Sequence, residues 1–232
     1  MHPTKLPQRL LELAVERRGS LHPLADFDTS HAALVVIDMQ NFFMDMVPGA
    51  RSVVSNINRL AKSIRLGGGK VVWVQMTLDE SDTQTWRHFF QKLLNAAGRS
   101  AHLSELARDS AGWQLESTLT VADEDWRVEK RRFSALIQGS SDLEQKLRER
   151  GIDTLLIAGT VTNVCCESTA RDAMMLDFAT IMVADACAAL DDESHLAALA
   201  NFQTVFGDVL TVDEVLAGID QTVTVRLDRT AL

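Results

Sequence analysis

Apolar runs that do not alternate with polar residues recur along this chain, and stretches of helical spacing separate them. Ala32-Ala-Leu-Val-Val-Ile37, Lys70-Val-Val-Trp-Val-Gln75, Thr154-Leu-Leu-Ile-Ala158 and Thr180-Ile-Met-Val-Ala184 are the clearest, with shorter runs at 126–129 and 208–211. A strand can be apolar on successive residues only where both of its faces are buried. Between the runs, Val53, Ile57, Leu60, Ala61 and Ile64 fall on one helical stripe, ended by Gly67-Gly-Gly69. Further helices are predicted over 6–18, 86–97 (closed at Gly98), 142–150 (ended by Gly151), 163–176 and 193–206. Residues 99–124 are the least periodic and read mainly as loop, and the tail after Gly218 has no assignment. The alternation predicts an α/β protein: a parallel sheet flanked by helices on both faces, a three-layer α/β/α arrangement. In such sheets the ligand crevice lies beyond the carboxyl ends of the strands.

Composition narrows the function classes. The 232 residues carry 23 Lys and Arg against 32 Asp and Glu, a formal charge of −9, with 46% hydrophobic residues. That balance predicts one globular domain over 1–232, with 1–30 as an N-terminal helical extension. An acidic chain without a basic cluster is a poor partner for nucleic acid or an anionic membrane. No apolar run approaches the length that spans a bilayer, and the segment after Met1 lacks the apolar core of a secretory leader. The three cysteines, Cys165, Cys166 and Cys187, form no disulfide framework. This predicts a cytoplasmic protein. Gly67-Gly-Gly69 precedes a strand, so it is a helix stop rather than a phosphate loop.

Three strand ends carry reactive groups. Asp38 closes the first run, Lys130 follows Trp126-Arg-Val-Glu129, and Cys165 follows the 154–158 run through Gly159-Thr-Val-Thr-Asn-Val. Singly, each has an ordinary structural reading: a turn or cap aspartate, a solvated lysine, a core cysteine. Together they supply the parts of a nucleophilic amidohydrolase. A thiol in the first turn of a helix, with Thr162 as N-cap and Lys130 nearby, is expected to have a lowered pKa. Asp38 suits the general acid–base role. The turn Gly159-Thr-Val-Thr is able to aim backbone N–H groups at an oxyanion. Cys166, about 100° away around the helix, is expected to face Ala170 and Ala173.

The segment from Gly159 to Ala173 resembles the nucleophile segment of the isochorismatase-like cysteine hydrolases. Val36-Ile-Asp-Met-Gln40 and Glu129-Lys-Arg-Arg-Phe-Ser134 match that family's other two motifs in the same order. The likeness runs from about Ala32 to Val215. It implies a catalytic triad of Asp38, Lys130 and Cys165. It also implies a cis peptide at Thr160–Val161 and an oxyanion hole from the N–H groups of Val161 and Cys165.

Nicotinamidases of this superfamily hold a metal through an Asp-x-His pair and further histidines. None of His2, His22, His31, His88, His102 and His195 stands in such a pair, so no metal and no cofactor is expected. True isochorismatases replace the cysteine, so its presence implies C–N cleavage. The phrasing around Cys165 is most similar to the carbamoyl and ureido branch. The resemblance thus implies a small-molecule amide, carbamoyl or ureido substrate, a thioester intermediate, and a homo-oligomer, dimer or tetramer. Vinyl-ether hydrolysis and a non-catalytic ligand-binding scaffold are the alternatives. Phe42, Phe43, Gln75, Trp86 and Phe133 are candidates for the substrate pocket, each equally readable as core.

Overall fold

The computed structural model describes residues 1–219. Six strands form one sheet: β1 (Ala32–Ile37), β2 (Lys70–Met76), β3 (Trp126–Lys130), β4 (Thr154–Thr160), β5 (Ala179–Ala188) and β6 (Asp208–Leu210). They are ordered β3-β2-β1-β4-β5-β6, and every neighbouring pair is parallel. Every residue of β1 and β4 is buried, which is why those two runs were unbroken in sequence. Helices are α1 (Gln8–Arg18), α2 (Asn41–Met46), α3 (Val54–Leu66), α4 (Asp82–Thr85), α5 (Ala96–Glu105), α6 (Leu143–Glu149), α7 (Glu167–Met175) and α8 (Asp192–Val205). A further helix covers 212–219, and the sequence tail from 220 lies outside the described residues. Strands are added outward from β1 in one direction through α3. They are added in the other through α7 and α8, so right-handed crossovers put helices on both faces. The order reverses between β1 and β4, the place where such sheets open a crevice.

Two sequence expectations need correction. Gly98 does not close a helix: it sits in the first turn of α5, where Asn95 accepts a hydrogen bond from its N–H at 2.7 Å. Residues 96–105, mostly expected as loop, are therefore helical, because an asparagine N-cap starts a helix that the glycine only weakens. The chain over 86–97 is instead broken into a short π-helical turn at Phe89–Leu93 and a cap. Of the stretch expected as loop, 106–124 remains irregular and straps the ends of β1 and β2. Glu116 N–H donates to Met39 O at 2.9 Å, and the Trp113 indole N–H donates to Thr77 Oγ1 at 2.8 Å.

One glycine is fixed by geometry. Gly159 has φ +114°, and a Cβ there would lie 2.1 Å from the carbonyl oxygen of Ile37. Only glycine lets β4 approach β1 this closely as the chain turns toward Cys165.

Candidate active site

Asp38 is the residue after β1, Lys130 the last of β3, and Cys165 lies just beyond β4 in a π-helical turn, Thr162–Cys166. Sheet order brings the carboxyl ends of β1 and β4 together at the switch point, and the long Lys130 side chain reaches them from β3, on the far side of β2. Asp38 takes a backbone φ of +50°, a left-handed conformation that aspartate tolerates. Its Oδ1 accepts the Met76 N–H at 3.1 Å, and its carbonyl accepts Thr160 Oγ1 at 2.8 Å. Lys130 Nζ lies 2.8 Å from Asp38 Oδ2, 3.0 Å from the Arg132 carbonyl and 3.5 Å from Cys165 Sγ. An ammonium has three N–H donors, and these are three partners. Lys130, whose ordinary reading when taken singly is a solvated lysine, is fully buried, as is Asp38, and Cys165 is 2% exposed.

Burial pushes the Asp38 carboxyl up and Lys130 pulls it down, leaving it raised: a stronger base than an ordinary aspartate. Burial lowers Lys130, but the charge of Asp38 and the hydrogen bonds to Asp38 and Cys165 outweigh that, so the ammonium is held. For Cys165 the lowered pKa expected from sequence is reversed. Desolvation raises it, Lys130 opposes, and Asp38 adds to the rise, so the resting thiol is neutral. Thr162 is not the N-cap either: Val161 holds that position, and the Thr162 hydroxyl is used elsewhere. The Thr160–Val161 peptide is cis.

A family model described as "Isochorismatase domain" matches residues 32–214. The chain belongs to the isochorismatase family. A ureidoacrylate amidohydrolase from Variovorax paradoxus (strain S110) is 32% identical over 211 residues, covering 83% of this chain and 82% of that protein. A cysteine hydrolase from Pseudomonas syringae pv. phaseolicola 1448A superposes with TM-score 0.71 at 25% identity, covering 84% of this chain and 95% of that one. N-carbamoylsarcosine amidase from Thermoplasma acidophilum superposes with TM-score 0.62 at 26% identity, covering 78% and 96%.

Of this isochorismatase-family hydrolase's five pocket candidates, Trp86 and Phe133 line one cleft and Phe42 another. Phe43 and Gln75 are buried in packing, and Gln75 Nε2 donates to the Trp113 carbonyl at 3.0 Å. Phe42, Phe89, Phe133 and Trp86 join edge-to-face, through His102, into one aromatic group over the ends of β1 to β3. No helix among the described residues is long and apolar enough to cross a membrane.

Sequence reasoning missed the side chains that hold the site. Thr169, four residues past Cys165, donates to the Cys165 carbonyl at 2.8 Å and accepts the Ala135 N–H at 3.1 Å, tying the Cys165 turn to the segment after Lys130. The i+4 spacing of Cys165 and Thr169 was the available signal. His195 of α8, given no role from sequence, is buried with its Nδ1 2.9 Å from Thr162 Oγ1 and its ring stacked on His2 at 4.8 Å. Burial, reinforced by His2 and opposed by Asp192, lowers its pKa from 6.5 to about 4. The folded protein thus binds this proton less well than the unfolded chain. Stability from the neutral imidazole is present above pH 6.5 and is lost as pH falls toward 4. Urea midpoints taken at several values across that window are expected to fall less steeply in His195→Gln than in wild type. Equal slopes would show that His195 carries no such linkage.

Proposed function

We propose that the protein is a cysteine-dependent amidohydrolase that cleaves a C–N bond of a small carbamoyl, ureido or amide compound. The observation that carries this reading is the Lys130 ammonium, which bridges the Asp38 carboxylate and the Cys165 sulfur at 2.8 and 3.5 Å. As Sγ attacks the carbonyl carbon, Asp38 takes the thiol proton, and Lys130 stabilises the developing thiolate. The oxyanion rests on the N–H groups of Val161 and Cys165, each such donor being worth about 3 kcal/mol. Asp38 then gives its proton to the leaving nitrogen, so ammonia or an amine departs from a thioester. Water, deprotonated by Asp38, releases the acid and restores the thiol. The amidohydrolase names carried by relatives at 26% and 32% identity support C–N rather than vinyl-ether cleavage.

The test is a panel of ureides, N-carbamoyl amino acids and primary amides, read by ammonia release. Catalysis through a protein thiol needs no metal in this scheme, so the rate is expected to be unchanged after exhaustive dialysis against a chelator. Ammonia from no member of the panel would overturn the reading. Activity lost to the chelator and restored only by added metal would overturn the metal-free scheme.

A further inference from the structure

Three threonine hydroxyls hold the turn that carries Cys165, and each ties it to something different. Thr160 Oγ1 donates to the Asp38 carbonyl at 2.8 Å, and Thr169 Oγ1 donates to the Cys165 carbonyl at 2.8 Å. The third, Thr162 Oγ1, shares a hydrogen bond of 2.9 Å with Nδ1 of His195, on α8. Thr162 is the first residue of the turn and is fully buried. The carbonyl just before it, on Val161, accepts the N–H groups of Val164 at 3.0 Å and Cys166 at 3.2 Å, the residues on either side of Cys165. A shift of Thr162 is therefore passed to Cys165, whose Sγ stands 3.5 Å from Lys130 Nζ.

Packing does not account for a histidine at 195. The side chain is fully buried, and its Nε2 has no hydrogen-bond partner among the described residues. A buried polar atom without a partner is costly, and an apolar side chain would fill the space without that cost. What the imidazole has that an apolar group lacks is its bond to Thr162. The ring is also kept from turning. It is stacked on His2, with the centroids 4.8 Å apart and the planes 22° from parallel. His2 is itself pinned, since the Ala189 N–H donates to its Nε2 at 3.0 Å and its Nδ1 lies 2.6 Å from Asp192 Oδ1.

We propose that His195 is a positioning residue for the reaction. Through Thr162 it fixes the turn, so that Cys165 Sγ and the N–H groups of Val161 and Cys165 keep one geometry relative to Asp38 and Lys130. This rests on the amidohydrolase reading above.

The experiment measures kcat and KM by ammonia release, on the panel compound that wild type turns over fastest. The variants are His195→Leu, His195→Asn, Thr162→Val and the double variant Thr162→Val/His195→Leu, each with a urea midpoint. Leucine and valine remove the bond, whereas the asparagine amide falls near the place of Nδ1 and restores it. His195→Leu and Thr162→Val are each expected to lose about 10- to 100-fold in kcat with KM within about 3-fold, the range for a misplaced reacting group. The double variant is expected to lose no more than the worse single one, because both changes remove the same bond. His195→Asn is expected to exceed His195→Leu in kcat while having the lower urea midpoint, being smaller and polar in a buried place. Losses that multiply in the double variant, or kcat values that follow the midpoints, would overturn the role of His195 and leave the amidohydrolase reading intact. If no panel compound releases ammonia, that reading fails, and iodoacetamide labelling decides His195 separately. The preference for Cys165 over Cys166 depends on the Lys130 contact, so it is expected to shrink in His195→Leu and Thr162→Val. An unchanged preference removes the role.

Discussion

Asp38→Asn is expected to lower kcat by about 10²- to 10⁴-fold, the range of a lost general acid–base group. An amide cannot take the thiol proton, yet it keeps the shape that accepts the Met76 N–H. Lys130→Met is expected to lose activity comparably, and it also exposes the energetics of the pair. Both groups are fully buried, so removing the ammonium leaves a carboxylate with no counter-charge, at a cost of about 3–5 kcal/mol in stability. In the double variant Asp38→Asn/Lys130→Met no unpaired charge remains, so much of that stability is expected to return while turnover does not. Denaturant titration beside ammonia release separates the two effects. Near-wild-type turnover in folded Asp38→Asn would defeat the triad, and strictly additive destabilisation would deny the buried coupling.

Cys165→Ala is expected to abolish turnover, by at least about 10⁴-fold, because the nucleophile itself is gone. Cys166→Ala is expected to keep activity and to lose about 1–2 kcal/mol of packing. Both thiols are buried and both are raised by desolvation. Cys165 has the Lys130 ammonium beside it, whereas Cys166 has Cys187, which pushes it further up. Iodoacetamide is therefore expected to react slowly at neutral pH and faster as pH rises through the ordinary thiol range, labelling Cys165 before Cys166. Peptide mapping with the first label on Cys166, or turnover by Cys165→Ala, would show that the wrong cysteine has been assigned.

The centre of the sheet was legible because burial on both faces leaves a direct mark. The runs at 32–37 and 154–158 are apolar at nearly every position, and the reactive residues at their ends stand out against them. Other features leave weaker marks. β5 runs on past Ala184 because Asp185, which would end an apolar run, is held from outside the sheet. Its carbonyl accepts Asn56 Nδ2 at 2.8 Å, and its carboxylate accepts the Val212 N–H at 2.7 Å. α5 was hidden by Gly98, since the start signal was one asparagine side chain. Asp38, Lys130 and Cys165 were picked out by motif and lie within contact of one another, but the charge state of the thiol was not legible. First-turn position argues for a thiolate, and burial, visible only in three dimensions, outweighs it.

The strand order also sets when Asp38, Lys130 and Cys165 can come together as the chain is made. β1 pairs with β2, which follows after two helices, but its other edge waits for β4, more than a hundred residues further along. Closing so long a loop is entropically costly and belongs to the late, slow part of assembly. Until β4 docks, one edge of β1 is unpaired and Cys165, which follows β4, is not beside Asp38 and Lys130. On the cysteine-hydrolase reading, a ribosome-bound chain that has not yet released β4 is expected to be silent, and turnover regained in refolding is expected to follow the joining of the two halves rather than the appearance of secondary structure.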